Sequence, residues 1–351
     1  NMDILLSAFY AEKQMGKIWG SANIEKLKQL DFNLNADAKI NLSEIKPFLP
    51  DTLVKNLSGS LSAKIKTHGK LNLDSIAEQA NDIIFKQSEF EFNAKNISLS
   101  MHGSLPNIND LNCVAKMGHD TIFISEMNGT ATGVDFSIDS TTILNVYNSV
   151  IKNKNEKVVV YGNFDFGAVD YSVLSPFVPD DNVDNSAKNN PLTEGNLNET
   201  RNFQFEIKGK IAAKSFKYDK IFLEDISAKF NLSDSVYIVD QFKTKAFDGI
   251  ANSSLRYSLA QNNRQILNVK NHLDNMDIHK LLYDFYNFGQ DSLIFYKNIS
   301  GIISADINSR LEFEADTMVR KDNRVTGNFK LVNGKLSKFK PAMYVSNFTV
   351  I

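Results

Sequence analysis

The chain has 351 residues, 42% of them hydrophobic and 23% charged, which is enough apolar material for a substantial core. Thirty-nine basic residues against 41 acidic ones leave a net charge of −2. No basic surplus draws the chain onto phosphate backbones, so nucleic acid is not an expected partner. The lone cysteine, Cys113, can form no internal disulfide and no CxxC-type metal site.

No run of about 18 apolar residues occurs, so the chain is not expected to span a membrane by itself. Its start, Asn1-Met2-Asp3-Ile4-Leu5-Leu6, lacks a charged leader followed by an apolar core. At the other end, Tyr344 to Ile351 reads as a strand in progress. Both ends are therefore expected to belong to a longer protein.

In chain order, Ile4–Trp19 has the spacing of a short helix. Lys39 to Phe48 reads as the end of a strand turning into a brief helix. From Leu57 to Thr67 the pattern alternates strictly. Leu57, Gly59, Leu61, Ala63 and Ile65 share one phase, while Ser58, Ser62, Lys64 and Lys66 take the other. Strand side chains alternate between two faces, so this is a strand with one apolar and one polar face. Short alternating segments follow at Phe90–Phe92, Val134–Ile138, Phe203–Ile207 and Ala228–Leu232. The pairs Asn128-Gly129, Asp248-Gly249 and Asn333-Gly334 favour the positive φ of tight hairpins and are expected as turns. Thr141–Val150 and Ile278–Phe288 are expected as further short helices. The second places Leu281, Leu282, Phe285 and Phe288 on one side.

Two elements repeat. Ile299 to Ser309 returns the Leu57–Thr67 strand almost position for position, departing at Ile302. The strand-to-helix element at Lys39–Phe48 recurs at Asn163–Phe177 and Asn275–Leu282. A recurring strand implies an elongated repeat architecture rather than a compact enzyme domain. Residues 1–351 therefore read as one elongated β module. Asp180–Arg201, rich in Asp, Asn, Pro and Gly, is expected as a mobile loop and marks a sub-boundary.

Chemistry is sparse. His68, His102, His119, His272 and His279 form no HExxH or other paired metal spacing. Gly129 and Gly133 do not make a phosphate-binding loop, and no nucleophile elbow or Walker sequence occurs. Pairs such as Glu224-Asp225 and Asp180-Asp181 are expected as solvated turn charges. No catalytic constellation emerges, and no cofactor or metal is implied.

The aromatic residues carry more. Phe92, Phe123, Phe136, Phe164, Phe166, Phe203, Phe205, Phe230, Phe242, Phe313 and Phe329 sit in strand phase. An ordinary closed β core explains such a stripe in a compact sandwich. Here roughly twenty strands would share one apolar face, and open sheets beyond about ten strands curl or split. Curled into a trough at about 4.8 Å per strand, such a sheet runs on the order of 90 Å. The expected fold is thus mainly β: a long, strongly curved antiparallel sheet forming an open groove or half-barrel, β-taco-like, with a few short helices. Expected groove-lining residues are Leu61, Ile65, Phe92, Ile124, Phe136, Phe164, Phe166 and Phe205. Ile207, Ile211, Phe230, Phe242, Ile303, Ile307 and Phe329 complete the set.

These features resemble the AsmA-like family, which includes the TamB relatives. The resemblance rests on the Leu57–Thr67 and Ile299–Ser309 strands and on the strand-to-helix elements ending at Phe48, Phe177 and Phe285. It rests also on the run from Ile207 to Ile211 through Leu223-Glu224-Asp225-Ile226 to Ala246-Phe247-Asp248-Gly249. A weaker copy runs from Leu99 to Gly103 through Ile108-Asn109-Asp110-Leu111 to Met127-Asn128-Gly129. The family usually begins with one membrane-spanning helix, which this chain lacks. The resemblance implies a periplasmic protein of a Gram-negative envelope, anchored to the inner membrane through a segment outside this chain. It implies a bridge-like lipid-transfer module that holds phospholipid or other acyl lipid in its groove and serves outer-membrane lipid homeostasis, with other envelope proteins as partners. The rival expectation is a structural or adhesive β-repeat protein with a closed core.

Overall fold

Alternating sequence becomes long antiparallel strands. The computed structural model describes residues 4–13, 16–25, 28–50, 53–102, 107–152, 154–177, 204–259, 264–289, 295–314, 317–319 and 322–337. The expected mobile loop at 180–201 and the expected terminal strand at 344–351 lie outside the described residues, as does Phe203. The chain is mainly β and antiparallel with a few short helices, as the alternation implied.

Two compact units divide the chain: residues 1–165 with 174–208, and residues 166–173 with 209–351. In the first, β1 (Ile4–Lys13), β2 (Gly16–Glu25) and β3 (Gln29–Asn41) lead through α1 (Leu42–Ile45) into β4 (Val54–Asn72). Then α2 (Ile76–Asp82) and a wide helical turn at Ile83–Gln87 lead to β5 (Ser88–Met101). β6 (Ile108–Gly118), β7 (Thr121–Ala131) and β8 (Val134–Leu144) follow, and each strand from β1 to β8 pairs antiparallel with the next. A helical turn at Tyr147–Ile151 then leads to β9 (Lys157–Asp170), α3 (Tyr171–Leu174) and β10 (Gln204–Tyr218).

The second unit continues with β11 (Ile221–Ser233), β12 (Val236–Ala246), β13 (Gly249–Leu259) and β14 (Arg264–Asp277). α4 (Ile278–Asp284) leads to β15 (Ile299–Glu314), the two-residue β16 (Thr317–Met318) and β17 (Arg324–Leu336). The pairings β11–β12, β12–β13, β13–β14, β14–β15 and β15–β17 are again antiparallel.

The two repeats have a physical meaning. Each recurring strand follows a helical connection and carries a bulge at its glycine. Gly59 has φ 104° and Gly301 φ 134°, and the pairing register shifts at both places. A Cβ at Gly59 would meet the Asn96 carbonyl oxygen at 2.6 Å, so only glycine fits. Beyond the bulge, Leu61, Ala63 and Ile65 in β4 correspond to Ile303, Ala305 and Ile307 in β15. The strand-to-helix elements repeat a cap. Asn41 accepts from the Ser43 N–H, Asp170 from the Ser172 N–H and Asp277 from the Lys280 N–H, each starting a helix at a strand end.

Several expectations fail for one reason: bulges and hairpins were read through a regular period. Ile4–Trp19 is not a helix but the β1–β2 hairpin, with Tyr10 opposite Trp19. Gly16 and Gly20 lie against the β3 backbone, where a Cβ would fall 2.3 and 2.0 Å from the carbonyl oxygens of Asp37 and Asn33. Thr141–Leu144 ends β8, because β-branched residues favour the strand, and the helical turn waits until Tyr147. Helix α4 does form within Ile278–Phe288, but it stops at Asp284.

Asn128-Gly129 is not a turn. It lies inside β7, where Asn112 Nδ2 donates to Asn128 Oδ1 while Asn112 Oδ1 accepts from the Asn96 N–H. The β7–β8 turn is Thr132-Gly133 instead, with φ of 50° and 83°. The β12–β13 turn is Phe247-Asp248, one residue earlier than expected, with φ of 52° and 63°. Asn333-Gly334 lies inside β17, and Asn333 takes φ 51° there. Asp110 and Asp225, each the third residue of its φ-x-D-φ stretch, have φ of 50–51° inside β6 and β11. Glu224-Asp225 is therefore a bulge, not a turn. Each bulge flips the alternation, which is why long strands look like short segments in sequence.

Candidate apolar faces and the pocket beneath helix α4

Register assigns the faces. In the first unit, Leu61 stands opposite Ala94, Ala63 opposite Phe92, Ile65 opposite Phe90 and Thr67 opposite Ser88. The same row continues through Ala115 to Ile124, and through Met117 to Ile122 and Ile143. On the other side it reaches Ala36 and Ala38 of β3, and Phe32 lies opposite Gly69. Phe136 joins the row opposite Gly129. Gly162 abuts Thr141, where a Cβ would meet Oγ1 at 2.2 Å, so Phe164, two residues on, shares that face. Phe205 and Ile207 lie on the side of β10 opposite Glu206 and Lys208, which pair at 2.8 Å.

In the second unit, Phe230 opposes Val239, which opposes Leu255 and then Val269. Phe242 opposes Ser253, and Asn271 opposes Ile307, which opposes Gly327. Ile303 opposes Leu331, and Ala305 opposes Phe329. Phe166 and Ile211 also belong to this unit. Phe166 keeps the strand phase of Phe164, and Ile211 that of Ile207. Register thus puts Leu61, Ile65, Phe92, Ile124 and Phe136 on one face of the first unit and Phe230, Phe242, Ile303, Ile307 and Phe329 on one face of the second, while Phe164, Phe166, Phe205, Ile207 and Ile211 follow strand phase. Phe123, one of the phenylalanines in strand phase, opposes Lys116 and lies on the polar face, which strand phase alone could not reveal. Sequence reading passed over Phe32, Phe90, Met117, Met127, Leu267 and Leu311, which complete the faces. Pairing register is the signal that identifies them.

The opposite faces are charged and cross-linked. Lys17–Asp37, Lys70–Asp31 and Lys116–Glu91 pair at 3.4, 3.6 and 2.9 Å in the first unit. His272 and Asp306 meet at 2.7 Å in the second, and that bond raises the imidazole pKa above its ordinary value. The apolar faces are mostly but not fully covered. Among the described residues ten hydrophobic side chains are buried, and five of those are alanines: Ala94, Ala115, Ala228, Ala246 and Ala305. The large aliphatic and aromatic residues of the faces remain partly open to solvent. A closed two-layer core would seal them. Cys113 lies on this face between Ala94 and Met127, and burial pushes its thiol pKa up.

Full burial is found where helical pieces meet strand ends. In the first unit Tyr147 is fully buried, stacked on Phe85 at 4.9 Å with its hydroxyl donating to Asp82. Lys86 and Lys152 lie over the same ring, and the Tyr147 bond holds the Asp82 carboxyl below its usual range. In the second, Met276 near the end of β14 and Ile278 at the start of α4 are buried.

After α4 the backbone does something unusual. Tyr286, Asn287, Phe288 and Gly289 all have positive φ, at 50°, 55°, 53° and 70°. A left-handed turn costs about 1–2 kcal/mol for each ordinary residue, and only Gly and Asn bear it readily. Contacts hold it in place. Lys220 Nζ sits 3.9 Å from the Tyr286 ring and 4.4 Å from that of Tyr283. The Tyr286 hydroxyl donates to Asp219 at 2.5 Å, and Asn287 Oδ1 accepts from the Tyr296 N–H at 2.8 Å. The turn carries Phe288 over a pocket of about 270 Å³. Ile299 and Ile303 of β15 and Phe329 and Leu331 of β17 line its floor, while Ile278 and Leu282 of α4 form its roof. His279, exposed on α4, donates to the Tyr296 carbonyl at 2.7 Å, while Asp277 provides the cap.

A second cleft of about 640 Å³ in this unit is lined by charged and apolar side chains alike: Lys280 pairs with Asp248 at 2.7 Å and Lys245 reaches Asp225 at 2.6 Å, while Glu224, Asp274 and Asp284 add further carboxylates. Among the described residues no group of three metal-ligating side chains occurs, and no helix is long and apolar enough to cross a membrane. No family model, curated protein or solved structure matches the chain.

Proposed function

We propose that this chain is a non-enzymatic lipid-binding module, holding the acyl chains of phospholipid or a similar lipid against its apolar faces. One observation carries the reading: the large apolar residues of each unit gather on one face and stay partly exposed, while the opposite face is tied by ion pairs. Covering such a face with acyl chains gains about 0.8 kcal/mol per buried methylene and needs no specific contact. A structural or adhesive β-repeat protein with a dry core would bury these side chains, so its expected pattern differs from the one observed. The AsmA-like resemblance adds the setting: a periplasmic module of a Gram-negative envelope protein, anchored to the inner membrane by a segment outside this chain and contributing to outer-membrane lipid homeostasis.

Solvent extraction of the purified chain, followed by lipid mass spectrometry and phosphorus analysis, tests the reading. Stoichiometric co-purifying acyl lipid is the expected result. A chain that carries none, and takes up none from added phospholipid vesicles, overturns it.

A further inference from the structure

The geometry points to the half-open pocket beneath α4 as a subsite for the methyl end of an alkyl chain, with Phe288 as its door. This inference deepens the lipid reading and rests on it. Size comes first: about 270 Å³ is nearly twice the roughly 150 Å³ apolar cavity that takes up a benzene ring, so on the order of ten carbons fit. Chemistry decides the class of occupant. The only polar side chain in the lining is Asn287, and its amide oxygen is already occupied by the Tyr296 N–H. No charged side chain lines the pocket, so nothing there compensates a polar head group for lost water. An alkyl terminus needs no compensation.

The backbone supports a door rather than a fixed wall. Three successive non-glycine residues are held left-handed just where Phe288 covers the pocket, and strained backbone of this kind collects at ligand clamps. Among the described residues its restraints are single contacts: the Tyr286–Asp219 and Asn287–Tyr296 bonds, the Phe288 N–H bond to the Phe285 carbonyl, the Lys220 contacts and the stacking of Phe288 on Phe285 at 5.1 Å. Phe288 itself remains mostly exposed, so it can swing without breaking a core. Ile303 and Phe329, in the pocket floor, belong to the apolar face that also includes Ile307. A chain lying along that face can therefore end in the pocket.

The test places a reporter at the door. Trp19, the only tryptophan, lies in the first unit and is replaced by Phe, and Phe288→Trp supplies the sole indole. Phosphatidylcholines brominated near the carboxyl end, at mid-chain or near the methyl end then quench its fluorescence. The expected result is quenching several-fold stronger from the methyl-end bromine than from the carboxyl-end bromine. Adding Leu331→Arg, in the pocket floor, should abolish that gradient in protein that still carries lipid phosphorus. Uniform or absent quenching in protein that carries lipid overturns the subsite and leaves the lipid reading standing. So does a gradient that survives Leu331→Arg. Protein without lipid phosphorus, unquenched by every bromolipid, overturns both.

Discussion

Introducing a charge at Ile307 separates a lipid-lined face from a sealed core. Ile307 stands between Asn271 and Gly327 on the apolar face of the second unit. Gly327 offers no side chain on its flank, and Asn271, which accepts from Ser253 Oγ at 2.7 Å, supplies a polar neighbour. Burying an isoleucine fully is worth about 1.5–3 kcal/mol, so Ile307, mostly but not fully covered, contributes about 1–2.5 kcal/mol. An arginine there can run its stem along the face and keep its guanidinium in water. Ile307→Arg should therefore lower the unfolding free energy by about 1–2.5 kcal/mol, whereas an unpaired charge in a closed core costs about 3–5 kcal/mol. Urea unfolding measures the first quantity, and lipid phosphorus per mole of protein measures the second, which should fall. Asn328→Arg, on the opposite face across from Asp306, is the control and should change neither. A loss above about 4 kcal/mol in Ile307→Arg would refute the half-open face. Lipid content unchanged in a folded variant would refute its role in lipid binding.

Four further outcomes follow from the geometry. Thr132 is β-branched at φ 50° with a buried, unpartnered hydroxyl, so Thr132→Asn should stabilise the Asn-Gly turn it creates by about 1 kcal/mol, seen as a higher urea midpoint. Gly59→Ala should destabilise by about 1–3 kcal/mol in the same assay, because φ is 104° and the Asn96 carbonyl occupies the Cβ position; an unchanged midpoint would remove the bulge argument. Cys113, its pKa raised by burial, should react slowly with iodoacetamide at neutral pH, and more slowly still in lipid-loaded protein than in delipidated protein; equal rates would place the lipid elsewhere. Hydrogen bonding to Asp306 raises the His272 pKa, so the pair's stabilisation is complete below the ordinary histidine value and is lost as pH rises through the raised one. NMR titration should find that elevated midpoint return toward the ordinary value in Asp306→Asn.

By itself the sequence determined the fold class, the phase of most strands and the two repeats. Alternation is local: a strand with one wet and one dry face must write apolar residues at every second position, as Leu61, Ala63, Ile65 and Ile303, Ala305, Ile307 do. Caps are equally local, so the helix starts after Asn41, Asp170 and Asp277 were visible as recurring strand-to-helix elements. Only the tertiary structure decided what depends on a partner strand. Asn128-Gly129 looks like a hairpin turn until Asn112 and Asn96 are seen beside it, and Ile4–Trp19 looks helical until Tyr10 is paired with Trp19. Phe123 changes face through register, and the α4 pocket exists because β17 brings Phe329 and Leu331 beside Ile303 beneath a helix more than forty residues earlier in the chain. Pairing and cavity shape are non-local. One residue of register moves every side chain to the other face, and no property of a single segment records which register its neighbour imposes.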